Sequence, residues 1–129
     1  MFNSLWYQNL TQPPLTPPAW VFGSVWGAIY LTIIIAFILY FIKKDEENKT
    51  SGYIFFAIQL ILNLLWSPVF FRMQNIGLAL IVIILMDIFI FLTIRKFYQI
   101  SKASGVLLVP YQLWVLFATY LNAGYFLLN

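Results

Sequence analysis

Residues 19–42 read AWVFGSVWGAIYLTIIIAFILYFI, a run with no charged side chain. As an α-helix rising about 1.5 Å per residue, this run is roughly 36 Å long, enough to cross a hydrocarbon core of about 30 Å. Its flanks fit that reading. Pro17 and Pro18 precede it and suit a first helical turn, with Thr16 as candidate N-cap. Lys43-Lys44-Asp45-Glu46-Glu47-Asn48-Lys49 follows it and reads as a solvated turn.

Outward from that run the same pattern recurs. Residues 52–71 form a second apolar stretch, with Pro68 near its end. Residues 76–94 form a third, interrupted only by Asp87. Residues 105–128 form a fourth, with Pro110 in its early turns. Residues 72–75 make a short connection and residues 95–104 a basic loop. The expected fold class is all-α: a polytopic transmembrane helix bundle with four spanning helices, built from residues 19–129. Residues 1–18 form an extramembrane segment, uncharged and proline-rich, with no basic region of the kind that opens a signal peptide. Short connections make sequential helices antiparallel neighbours.

Composition gives the same answer. The chain is 63% hydrophobic and 9% charged, whereas soluble domains are about 45–50% apolar and about 25% charged. A soluble domain this small has too little interior to hide that surface. There is no cysteine and no histidine, so disulfides, thiolate chemistry and the commonest metal and haem ligands are excluded. The net charge of +3 reads as topology information and not as a nucleic-acid footprint. Lys43, Lys44, Lys49, Arg95, Lys96 and Lys102 share one side, and only Arg72 lies on the other. The positive-inside rule makes the side with six cations cytoplasmic.

Several polar and aromatic residues stand out at helical spacing. Gln59, Asn63, Trp66 and Phe70 share one helix face. A carboxamide in hydrocarbon needs a partner, so Gln59 and Asn63 either bond neighbouring helices or line a ligand site. Tyr111, Trp114, Ala118, Asn122 and Tyr125 lie on one face of the last run, and Phe22, Trp26, Tyr30 and Ile33 on one face of the first. Such stripes are often mere packing. Here the aromatics gather toward one end of their helices, with Gly23 and Ala118 leaving space between them. They could wall a flat apolar pocket under a lid formed by residues 6–18. Trp6 and Tyr7 fit that lid and fit equally an interfacial aromatic belt. Asp87 is the one acid within an apolar run. It reads as a proton-coupling site, or as a protonated or water-touching group near the basic interface. Arg95, Lys96 and Lys102 read as snorkelling anchors.

Three blocks resemble the tryptophan-rich sensory protein/translocator protein (TspO/MBR) family. The first is Trp6-Tyr7-x-x-Leu10-x-x-Pro13-x-x-x-Pro17-Pro18-x-Trp20-Val21-Phe22-Gly23-x-Val25-Trp26-x-x-x-Tyr30. The second is Gln59-Leu60-x-Leu62-Asn63-x-x-Trp66-Ser67-x-x-Phe70-Phe71. The third is Pro110-Tyr111-x-x-Trp114-Val115-x-Phe117-Ala118-Thr119-x-Leu121-Asn122. They occur in the family's order and cover most of the chain. The family has five spanning helices, and the matching blocks begin after the first. The resemblance therefore implies either an upstream start in the parent sequence or a four-helix member. Leu15 stands where the family usually has tryptophan, and no basic residue follows Tyr120 or Tyr125 as the proposed cholesterol motif requires.

The resemblance implies an integral membrane porphyrin-binding protein, a receptor or sensor with possible tetrapyrrole transport. It requires no cofactor and binds no metal; protoporphyrin IX or a related tetrapyrrole is the expected ligand. The implied ligand-binding residues are Trp6, Tyr7, Phe22, Trp26, Tyr30, Asn63, Trp66, Phe70, Trp114, Ala118 and Asn122. The pocket is expected to open toward the non-cytoplasmic side of a bacterial inner membrane. The expected partners are the lipid bilayer and a second copy of the chain, with Gly52 and Ala57 compatible with a homodimer contact. Light-dependent porphyrin breakdown is known in the family, but no triad, metal site or phosphate loop marks an enzyme here. The alternative reading is a small proton-coupled exporter of lipophilic compounds using Asp87.

Overall fold

A computed structural model describes residues 5–43 and 49–129. Lys44 to Asn48, the middle of the expected solvated turn, lie outside the described residues. Among the described residues six α-helices follow in order: α1 (Leu5–Gln8), α2 (Ala19–Ile42), α3 (Thr50–Ser67), α4 (Ile76–Ile100), α5 (Lys102–Leu107) and α6 (Val109–Leu128). A π-helical turn, Pro68–Arg72, extends α3. Four helical stretches among the described residues are long and apolar enough to cross a membrane: Trp20–Ile42, Thr50–Arg72, Ile76–Ile100 and Lys102–Leu128. The polytopic helical bundle read from the sequence is the observed architecture.

Helix boundaries differ from expectation where proline and charge were read too simply. Thr16 and Pro17 each precede a proline and so disfavour the helical region, and Pro18 is the extended N-cap of α2 (φ −61°, ψ 157°). Thr16 therefore caps nothing; its hydroxyl donates to the Pro13 carbonyl at 2.7 Å. The basic stretch 95–104 is largely helical. Arg95 and Lys96 are good helix formers, so α4 runs on to Ile100 and breaks only at Ser101, whose side chain accepts from the Ser104 N–H. Asp87 thus lies eleven residues after Ile76 and thirteen before Ile100, near the middle of its span rather than at its basic interface.

α4 is the central staff. Ala79, Ile83, Met86, Ile90, Thr93 and Phe97 recur every three or four residues and are buried, so one stripe of the helix meets its neighbours while the rest faces lipid. α3 and α6 pack along α4, α5 lies against its end, and α2 leans on α5 and α6. Gly105 permits the α4–α5 approach, since a Cβ there would come within 2.6–2.8 Å of Tyr98. Ser104 of α5 donates to the Ala36 carbonyl of α2. Gly52 is also consumed internally, under the ring of Tyr40, and is buried rather than free for a dimer contact. Between α2 and α3, rings bridge the gap: Phe37 meets Phe56 at 4.9 Å and Tyr53 at 5.9 Å.

Two ends result. The basic end carries Lys43, Lys49 and Lys102. Here the Lys49 ammonium donates to the carbonyls of Tyr40 and Lys43, which closes the C-terminus of α2. The opposite end, called the lid end below, gathers the start of α2, the π turn, the start of α4, the end of α6 and the segment 5–18.

Candidate functional site: an aromatic chamber at the lid end

At the lid end the chain before α2 folds back over the helices as a strap. Tyr7 in α1 is 6% exposed, with its ring 5.6 Å from Phe71 and 5.5 Å from Tyr125. The Tyr125 hydroxyl donates to the Tyr7 hydroxyl at 2.8 Å. Burial, followed by that hydrogen bond, pushes the Tyr7 phenol well above the ordinary tyrosine range. The rest of the strap is fastened to α6. Asn129 accepts from the Thr11 N–H at 2.9 Å and donates to the Thr11 carbonyl at 3.0 Å. Tyr120 donates to the Pro14 carbonyl at 2.7 Å. Pro13 is seated where a Cβ on Gly124 would stand. Leu15, where the family usually has tryptophan, sits at the turn of the strap with φ 70° and is exposed.

Beneath the strap lies a small chamber lined by Tyr7, Phe22, Trp66, Phe70, Phe71, Ala118, Leu121, Asn122 and Tyr125. Its free volume is about 20 Å³, room for about one water molecule. The rings themselves fill the remainder. Trp66 and Phe70 stack at 5.1 Å and 30°, and Trp6 meets Phe70 edge-on at 5.6 Å. Trp114 stands beside the chamber, 5.8 Å from Phe22 and 6.2 Å from Trp26, both edge-on. Its indole N–H is buried with no hydrogen-bond partner among the described residues.

Six of the residues singled out in the sequence, Tyr7, Phe22, Trp66, Phe70, Ala118 and Asn122, meet at this chamber. Trp6, Trp26 and Trp114 form its surround. Tyr30 and Asn63 lie deeper, in a polar chain that joins three helices. Tyr30 donates to Asn63 Oδ1 at 2.5 Å, and Asn63 donates to the Tyr111 hydroxyl at 2.8 Å. Tyr111 in turn donates to Gln59 Oε1 at 2.7 Å, and Gln59 donates to the Phe56 carbonyl at 2.9 Å. Asn63 is therefore engaged between helices in this state. Asn122 is engaged as well: it accepts from the Trp66 indole at 2.8 Å and donates to the Ile76 carbonyl at 3.1 Å. Phe71, Leu121 and Tyr125 complete the chamber without being among the expected binding residues. Tyr125 did lie on the recognised face of α6, Leu121 is the neighbour of Asn122, and Phe71 belongs to the π turn, whose departure from α-helical spacing the sequence does not reveal.

Among the described residues, the chamber hydroxyls are the Tyr7 and Tyr125 phenols, bonded to each other.

Comparison with known proteins agrees with the three sequence blocks. The TspO/MBR family model matches residues 1–128. The chain is 43% identical over 129 residues to the tryptophan-rich protein TspO of Chlorobaculum tepidum, covering 98% of this chain and 80% of that protein. It is 38% identical to the tryptophan-rich sensory protein of Cereibacter sphaeroides, over 91% of this chain and 72% of the relative. It is 34% identical to the human translocator protein, over 91% of this chain and 70% of the relative. With its four lipid-spanning stretches and its strap-covered ring cluster, the chain is an integral multi-pass membrane protein that belongs to the TspO/MBR family.

Proposed function

We propose that this protein is a membrane receptor or sensor that binds a flat apolar ligand of the porphyrin class in the lid-end chamber. The observation that carries the reading is the chamber itself: an aromatic wall drawn from the strap and three spanning helices. Offset and edge-on ring contacts favour an extended π-surface by about 0.5–1.5 kcal/mol each beyond area burial. The free N–H of Trp114 is a ready donor for a carbonyl or carboxylate on the ligand. A relative bears the name tryptophan-rich sensory protein, which agrees with this reading.

Ligand sites commonly occupy about 300–1,000 Å³, so the chamber opens only when the strap lifts and Trp66 or Phe70 turns. Metal-free protoporphyrin IX is preferred over haem, because the chain has no histidine or cysteine to ligate iron. The basic end faces the cytoplasm of a bacterial cell, and the chamber faces the other side. A homodimer would use the lipid-facing surface that includes Ala57, since Gly52 is covered. Titration of the purified protein with protoporphyrin IX, haem and tetraphenylphosphonium, followed by tryptophan quenching, tests the reading. Saturable quenching by the porphyrin and none by the cation is expected. Binding of the cation without the porphyrin would overturn it in favour of an exporter.

A further inference from the structure

The chamber makes no use of Asp87, the only acidic residue within a span. Asp87 lies midway along α4, half-buried at its seam with α6. Two side chains of α6 meet it. The Thr119 hydroxyl lies 2.6 Å from Asp87 Oδ2, and Gln112 Nε2 lies 3.4 Å from Asp87 Oδ1. No lysine or arginine pairs with Asp87 among the described residues, and Arg95, the nearest cation along α4, is about two helical turns away. A bare carboxylate at that depth has neither water nor a counter-ion.

The proton count at this cluster is short by one. Thr119 Oγ1 lies 2.6 Å from Asp87 Oδ2 and 2.8 Å from the Val115 carbonyl. Both are hydrogen-bond distances to acceptors, yet a hydroxyl carries one proton. Gln112 offers Asp87 only a long amide contact, and its own Oε1 is buried without a partner. We propose that Asp87, Thr119 and Gln112 form a proton-binding site inside the membrane that ties α4 to α6.

A proton on Asp87 Oδ2 resolves the count. Asp87 then donates to Thr119 Oγ1, Thr119 donates to the Val115 carbonyl, and Gln112 Nε2 remains a donor to Oδ1. The seam is then neutral and each short contact contains one proton. Without the proton, a charged group sits in hydrocarbon with a single good donor. The hydroxyl of Tyr111 in α6 is held by Gln59 and Asn63. The other titratable groups on elements packed against α4 are Tyr53 of α3, Arg72 of the π turn, Lys102 of α5, and Tyr120 and Tyr125 of α6. None bonds to Asp87.

The proposal does not depend on porphyrin binding, and infrared spectroscopy of the ligand-free protein in lipid bilayers tests it. The other acids, Asp45, Glu46 and Glu47, fall in the charged sequence 43–49 outside the apolar runs, so a protonated-carboxyl C=O band at neutral pH is assignable. That band should be present in the wild type, vanish in Asp87→Asn, and move to higher frequency in Thr119→Val as its acceptor is lost. The wild type should also lose thermal stability at alkaline pH, while Asp87→Asn, a neutral near-isostere, should not. No carboxyl band in the wild type at neutral pH would overturn the proposal, even if neither variant folds. A band unmoved by Thr119→Val would overturn the assigned acceptor and the clamp with it.

Discussion

Both ends of the bundle are lined with aromatic rings, but the rings meet in different ways. At the basic end Tyr40 lies flat on Phe97, with centroids 4.0 Å apart and planes 8° apart, and Phe56 lies nearly parallel to Phe97 at 5.6 Å. The Tyr40 hydroxyl is satisfied by the Lys49 carbonyl. At the lid end Trp66 and Phe70 also stack, at 30°, but the contacts around Trp114 and Tyr125 are steep: 62° between Phe22 and Trp114, 83° between Trp26 and Trp114, and 76° between Phe70 and Tyr125. Parallel rings fill their volume, and separating them forfeits dispersion contacts on both faces. The lid end instead keeps a free volume of about 20 Å³ and an indole N–H, that of Trp114, without a hydrogen-bond partner among the described residues. The basic end thus behaves as a filled core, and the lid end as a core with room left in it.

That contrast can be broken most forcefully at Phe97. Phe97→Ala should cost about 3–5 kcal/mol of stability, read by denaturation in detergent micelles. It should leave porphyrin affinity unchanged per folded molecule; a matched loss of affinity would mean that the two ends are not separable. At the lid end the order of effects should reverse. Trp26→Phe with Trp114→Phe should weaken protoporphyrin IX binding well over tenfold, more than about 1.4 kcal/mol, with a small change in melting temperature. Unchanged quenching titrations would remove both indoles from the site.

Smaller effects sharpen the picture of the strap. Tyr125→Phe removes the donor to Tyr7 and should cost about 1 kcal/mol, seen as faster ligand dissociation. The raised pKa of Tyr7 sets a sign for pH. The folded strap favours the protonated phenol, so its contribution is complete at neutral pH and is lost as pH climbs past the ordinary tyrosine range. Protease nicking within residues 8–16 should therefore rise at strongly alkaline pH. Asn129→Ala frees only the exposed end of the strap and should cost about 0.5 kcal/mol, with modestly increased nicking.

The spans were legible because each is a long uncharged run, and lipid leaves the backbone few alternatives. The helix ends were less so. Lys and Arg end a hydrophobic run without ending a helix, which is why Arg95 and Lys96 belong to α4. The faces bearing Trp66, Asn122 and Tyr125 could be read from spacing. Their pairings could not, since the Trp66–Asn122 bond joins residues 56 apart and depends on how the helices assemble in space. Asn63 shows the same limit: its burial was predictable, but its engagement by Tyr30 and Tyr111 rather than by open space was not. The clamp at Asp87 was invisible for a related reason, because only the α4–α6 register brings Thr119 and Gln112 to it.

A structure of the protein with protoporphyrin IX bound tests the chamber most directly. The tetrapyrrole should lie between Phe22, Trp66 and Trp114 beneath a lifted strap, with Phe70 turned aside and the Tyr40–Phe97 stack undisturbed. A porphyrin seated on the lipid-facing surface, with the strap still fastened through Asn129 and the rings unmoved, would contradict it.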